Sequence, residues 1–298
     1  MNFAEMVVER AFKIRKRIVV IGDAMIDYWV YGNKSSCQEG CFKVCTESTV
    51  NIYGGAANAF ESLKYWPINK NLQTYPEDLW PIKYRFATSD EINFRWDDEV
   101  EVNTANRDSF LWKYYTQLAL DMAECADGVL LSDYNKGFLT EEVIERIVGS
   151  CKRRNIPCVA DCKREPSFYK GCLLKCNNDY YCKYYNQILN MQVPLLVVTN
   201  GCAVPLIREH NTLINPKSHP VKVKCENFIG AGDCFSAHFV LGLVYDLTIE
   251  ESAMFAHSAG RVYVQKKHNS PPHYSHICED MANWGIGNAA PRTAAGMA

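Results

Sequence analysis

Residues 226–239 read ENFIGAGDCFSAHF, and the four residues Gly230, Ala231, Gly232 and Asp233 could do chemistry together. Small residues at the start of a helix leave backbone N–H groups open to an anion, and the helix dipole favours negative charge there. An aspartate at the edge of such a turn could accept the proton of a hydroxyl that attacks a phosphate. The plainer reading is a tight turn before a core helix, since glycine adopts backbone angles that other residues avoid. The rest of the chain has to choose between them.

The 298 residues can bury a large core, and a formal charge of −2 with no basic run argues against a nucleic-acid partner. The opening MNFAEMVVERAFKIRKR reads as an amphipathic helix with charges throughout, without the apolar core of a signal peptide. No stretch is long and apolar enough to span a bilayer, so a soluble protein with no membrane partner, located in the cytoplasm, is expected. Fourteen cysteines are many, several of them four apart, as in Cys37, Cys41 and Cys45 or Cys158 and Cys162. None forms a C-x-x-C pair, so buried free thiols are a better account than zinc or disulfides.

The elements that must hold the turn follow from periodicity. RIVVIGD is a buried strand with an aspartate at its end, CFKVCTESTVNIYGG alternates as a half-exposed strand, and AANAFESLKYW reads as a helix. PIKYRFATSDEINFRWDDE looks like a hairpin turning at Ser89 and Asp90. From Gly128 onward strands alternate with helices: GVLLSD, then a helix capped by Thr140, then IPCVAD, GCLLKCN and PLLVVTNG. The glycine turn opens the next helix, and a further one begins with Thr248 and Glu251 at capping-box spacing. Such alternation predicts a mainly parallel sheet covered on both faces, with ligands beyond the strand ends. Asp23, Asp133, Asp161, Asn177 and Asn200 all fall at such ends. The chain shows no internal repeat, and its last residues, 285–298, read as a flexible tail.

In order along the chain, VVIGDAMIDYWVYG, SSCQEGCFKV, YGGAANAF, LSDYNKGFLT, VADCKREPSFYKGCLLKCN and GAGD resemble the motifs of the ribokinase-like (PfkB) carbohydrate kinases. Among these the match is nearest to the heptose-7-phosphate kinases that supply ADP-heptose for lipopolysaccharide. The resemblance covers most of residues 17–270. It implies an α/β, three-layer ribokinase-like fold: a mainly parallel sheet, helices on both faces and a small β lid. The kinase domain would span 1–284, with the lid from about 36–53 and 81–97.

The resemblance also implies roles. Asp233 matches the catalytic base, and the N–H groups of Gly230, Ala231 and Gly232 match the anion hole. Asp27, Gly54, Gly55 and Asn58 match contacts to sugar hydroxyls. Arg85, Asp133 and Lys163 fall in segments around substrate, Arg85 as a basic lid residue that could meet a sugar phosphate. Asn177, Asn200 and Gly201 fall where nucleotide phosphates would lie. ATP and Mg2+ are the implied cofactors, the metal carried by the nucleotide phosphates, and many lids in the family pair two subunits into a homodimer. The structural alternatives are that Asp27 caps a loop, Asn58 caps the helix after the glycines, Asp133 pairs with Lys136, and Lys163 and Arg85 are solvated.

Three departures stand against this. Asn227, Phe228 and Ile229 replace the usual Asp-Thr-Thr before the G-A-G-D turn. Tyr180 stands where N-x-x-E would have its glutamate, although Asp179 could substitute one position away. The stretch between the G-G-A-A-N helix and Pro81 is short, so a strand–helix unit should be lost or reduced. Two function classes therefore remain: a sugar kinase, and a binding protein that no longer turns over. A dinucleotide-dependent oxidoreductase is excluded because GDAMID lacks the G-x-G-x-x-G loop.

Overall fold

The computed structural model describes residues 1–36, 42–88, 91–98, 110–191, 193–210, 212–214, 216 and 222–284. Part of the lid segment, the Ser89–Asp90 turn, Cys37, Cys41 and the tail 285–298 lie outside them. The described strands are β1 Arg17–Gly22, β2 Ala24–Ser36, β3 Phe42–Gly55, β4 Asn69–Gln73, β5 Ile82–Thr88, β6 Glu91–Asp98, β7 Gly128–Ser132, β8 Cys158–Asp161, β9 Leu173–Asn177, β10 Leu195–Asn200, β11 Ala203–Glu209 and β12 Thr212–Ile214. The helices are α1 Phe3–Lys13, α2 Ala56–Ser62, α3 Phe110–Glu124, α4 Glu141–Arg154, α5 Asn178–Asn190, α6 Ala231–Val244, α7 Ile249–Val264 and α8 Tyr274–Asn283.

One sheet runs β12-β11-β10-β9-β8-β7-β1-β4. Its strands from β10 to β4 are parallel, and β11 and β12 close one edge antiparallel. Strand alternation sorts its side chains into two cores. Ile18, Val20, Leu130, Val159 and Val197 face a cluster shared with α1, α2, α6, α7 and α8. Val19, Ile21, Val129, Leu131, Ala160 and Val198 face the other, shared with α3, α4 and α5. The three-layer ribokinase-like expectation is met. Between α2 and β5 the strand β4 survives, but only a single 3-10 turn at Glu77–Leu79 follows it, so the expected reduction falls on the helix.

A second sheet, β3-β2-β5-β6, forms the lid. Its alternation is inverted relative to an ordinary half-buried sheet: β5 turns Lys83, Arg85 and Ala87 inward. On the other side Tyr84 stacks on Trp96 and lies near Tyr28, while Phe86 meets Phe94. Phe94 and Trp96 are more than half exposed.

Sequence-visible caps close the helices as expected. The Thr140 hydroxyl accepts from the Val143 N–H, and Thr248 and Glu251 form a reciprocal capping box. The described cysteines are free thiols, with Cys151, Cys158, Cys162, Cys172, Cys176 and Cys234 buried. No helix among the described residues is long and apolar enough to cross a membrane.

Candidate active site

Helix α6 is buried along almost its whole length, so its first turn is delivered to the carboxyl edge of the parallel sheet by packing against α7, α2 and the central strands. Gly230 caps it in the left-handed region, at φ 82°. A Cβ there would stand 2.4 Å from both the Asn58 side-chain nitrogen and the Tyr263 hydroxyl, so only glycine fits. The Ala231 N–H donates to the Phe228 carbonyl and is engaged. The N–H groups of Gly230, Gly232 and Asp233 carry no such partner, and they form the open donor set at this helix start. The open N–H groups are thus those of Gly230, Gly232 and Asp233, whereas the sequence expectation was Gly230, Ala231 and Gly232.

Asp233 is 3% exposed. One carboxylate oxygen accepts from Asn58 Nδ2 at 3.0 Å, the other from the Tyr134 hydroxyl at 2.6 Å. Burial, then the nearby Asp161 charge, push its carboxyl above the ordinary value, while the Tyr134 and Asn58 hydrogen bonds oppose the rise. Asn58 sits inside α2 rather than capping it, and also donates to the Gly230 carbonyl at 3.0 Å. One side chain thus joins Asp233 to the turn.

Beneath this lies a charged layer in which Lys175 and Ser236, not singled out in the sequence, join Asp161 and Lys163. Lys175, 2% exposed, donates to Asp161 at 3.0 Å and to the Gly232 carbonyl at 3.1 Å. Ser236 donates to the same two acceptors, at 3.0 and 2.9 Å. Lys163 approaches the other Asp161 oxygen at 3.5 Å. Burial alone would raise the Asp161 carboxyl, but Lys163, Lys175 and Ser236 together hold it below its ordinary value. The Lys163 ammonium is raised by Asp161 first, against its own burial, and Asp233 adds to the effect. Lys163 is thus a partly exposed cation paired with Asp161 and close enough to Asp233 to interact with its charge.

The other expected residues divide. Asp27 and Arg85, assigned separate ligand contacts from the sequence, are both buried and bind each other at 2.8–2.9 Å. Asp27 caps no loop; it lies within β2. The inward lid cation without a hydrogen bond or ion pair among the described residues is Lys83, 8% exposed and 5.5 Å from the Tyr134 ring centre. Burial holds its ammonium below the usual lysine value, with Asp27 opposing. Gly54 and Gly55 make room: a Cβ would stand 2.7 Å from Met25 Cγ and 3.0 Å from Asp27 at the first, and 2.4 Å from the Asp23 carbonyl oxygen at the second, where φ is 58°. Asp133 is bound by Arg164 and by the Tyr169 hydroxyl, not by Lys136, and it anchors the loop after β7.

Asn177 is the N-cap of α5, its side chain accepting from the Tyr180 N–H at 2.9 Å. Asn200 and Gly201 form the exposed turn between β10 and β11. Tyr180 is buried and donates to the Arg164 carbonyl, so the missing glutamate has been replaced by a packing residue. Asp179 is exposed in the first turn of α5. No cluster of three metal-ligating side chains exists among the described residues.

The loop that lost its polar residues has become part of the lid contact. Ile229 packs on the lid cluster of Trp29, Ile52 and Ala87, with Tyr31 and Val50 around it. His268 meets Tyr31 through its Nδ1 at 3.2 Å, and Asn269 donates to the Tyr53 carbonyl at 3.0 Å.

The buried carboxylate at the open helix start lies at the carboxyl edge of a ribokinase-like fold, as the solved structures show. Arabidopsis thaliana ribokinase complexed with ribose and ATP superposes with a TM-score of 0.64 at 15% identity, covering 90% of this chain and 99% of that one. Escherichia coli phosphofructokinase-2 in complex with potassium gives 0.65 at 13% identity, covering 91% and 100%. Residues 175–273 match the model of the pfkB family carbohydrate kinases. Among curated proteins it is similar to the bifunctional protein HldE of Wolinella succinogenes, 22% identical across 89% of this chain and 65% of that protein. The HldE of Sulfurimonas denitrificans is 25% identical across 84% and 61%. The chain thus spans less than two thirds of the length of these relatives.

Proposed function

We propose that the protein is an ATP-dependent kinase of a sugar or sugar phosphate, most simply a heptose 7-phosphate at its anomeric hydroxyl, within one kinase domain over residues 1–284. The observation that carries the reading is Asp233, buried and hydrogen-bonded at the open start of α6 beside the Lys163 ammonium. Asp233 takes the acceptor's proton as its oxygen bonds to the γ-phosphorus and the bond to the β-phosphate breaks. The N–H groups of Gly230, Gly232 and Asp233 then stabilise charge on the transferring group, with Lys163 beside them. Mg2+ carried by the nucleotide supplies charge neutralisation between the phosphates. Lys83 supports a phosphorylated acceptor in place of Arg85, because it faces the cleft without an ion-pair partner among the described residues.

The test is ADP release with Mg-ATP and a panel of ribose, fructose 6-phosphate and a heptose 7-phosphate. Turnover on at least one, lost by 10³-fold or more in Asp233→Asn, is expected; an equally active variant would refute the reading. A second reading, binding without turnover, is favoured by Asn177 and Tyr180 being committed to structure. Thermal stabilisation by ATP and sugar phosphate with no ADP release would select it. The exposed aromatic residues Phe94 and Trp96, with half-buried Tyr84 stacked on the latter, support a homodimer through the lid.

A further inference from the structure

The Tyr134 hydroxyl lies 2.6 Å from Asp233 and donates to it. A sugar hydroxyl awaiting deprotonation must donate to that same carboxylate. The phenol itself is a poor proton source here: burial, then the Asp233 and Asp161 charges, raise it well above its ordinary value. It therefore stays protonated and keeps its hydrogen bond.

The backbone carrying Tyr134 is fixed from below. Asp23 accepts the N–H groups of Tyr134, Lys136 and Phe138 at 2.9, 3.0 and 3.1 Å. Asp133 accepts from the Asn135 N–H at 2.8 Å and is itself clamped by Arg164. The ring lies against Gly55, with the Lys163 and Lys83 ammonium groups 5.1 and 5.5 Å from its centre. With the main chain held this firmly, the hydroxyl can leave Asp233 only by rotation of the side chain.

Resting on the kinase reading of Asp233, we propose that Tyr134 is a surrogate acceptor: its hydroxyl occupies the acceptor's place on the base until a substrate hydroxyl displaces it. Two consequences follow. Acceptor affinity carries the loss of the Tyr134–Asp233 hydrogen bond. In the absence of acceptor, Asp233 is kept from activating water, a reaction in which water oxygen bonds to the γ-phosphorus, the bond to ADP breaks and the proton passes to Asp233.

Tyr134→Phe removes the hydroxyl and keeps the ring. A hydrogen bond to a charged group is worth about 1.5–3 kcal/mol. The variant should therefore bind its sugar acceptor about tenfold or more tightly by calorimetry. It should also release ADP from Mg-ATP without acceptor about tenfold faster than the parent. The double variant Tyr134→Phe/Asp233→Asn should lose that release, which a loosened structure would not. No gain in either measurement overturns the proposal, whether the parent turns over or not, and so does a gain in release that survives in the double variant. A parent with no turnover on any sugar, beside a Tyr134→Phe chain that gains Asp233-dependent release, would instead count against the sugar assignment alone.

Discussion

Replacing Lys175 by methionine keeps the length of the side chain and removes a charge that is 2% exposed. The ammonium is bonded to Asp161 at 3.0 Å and to the Gly232 carbonyl at 3.1 Å. Removing one partner of a buried pair costs about 3–5 kcal/mol, because the other charge stays buried. Asp161 would retain Ser236 at 3.0 Å and Lys163 at 3.5 Å, which places the expected loss at the lower end, about 3 kcal/mol. Urea unfolding should show that loss at pH 7 with an unchanged m-value. The pH dependence has a fixed sign. In the parent the Asp161 carboxyl lies below its reference of 3.8, so its stabilising contribution is present above that pH and fades as pH falls through the lowered value. The gap between parent and variant should therefore narrow in strong acid. A loss below 1 kcal/mol at pH 7 would refute the view that Lys175 organises the start of α6.

Two further outcomes follow from the same geometry. Burial, then repulsion from Asp133, raise Asp23 from 3.8 to about 6, so the folded chain holds a proton there that the unfolded chain has released, and stability falls as pH rises across that window. The difference in unfolding free energy between parent and Asp23→Asn should decline by up to about 3 kcal/mol from pH 4 to pH 7, and a flat difference would contradict it. On the proposed lid homodimer, the parent should sediment as a dimer and Trp96→Lys, which charges the aromatic face, as a monomer; a monomeric parent or an unchanged mass removes that face from an interface.

Local signals were readable in the sequence and long-range ones were not. Thr140, Thr248 with Glu251, and the strand-end aspartates carried their meaning within a few residues, and the structure agrees with each. The motif order placed Asp233, Gly230 and Asn58 in one site, where Asn58 and Asp233 indeed meet across 175 residues of chain. Tyr134, Lys175 and Lys83 were not singled out because nothing near them in sequence shows what they face. LSDYNKG was quoted for its strand end, yet the partner of its tyrosine lies 99 residues away. The lysine in GCLLKCN was a faint signal: an unpaired charge in an otherwise buried strand needs an acid on the neighbouring strand, and Asp161 is its register partner. Arg85 and Asp27 were assigned separately because a parallel β2–β5 pairing across the intervening strands is not legible from either segment. The strands β4 and β12 lack the apolar runs that mark the central ones, and the apolar run of β11 is interrupted by Pro205.

Ile229 ties the start of α6 to the inside of the lid. Because its partners Trp29, Ile52 and Ala87 are apolar, parting the two surfaces uncovers them together, and the resistance to opening is hydrophobic. Such resistance weakens on cooling. The hold of the lid on the start of α6 is thereby linked to temperature through one isoleucine, one of the three residues that stand where the resemblance implies Asp-Thr-Thr.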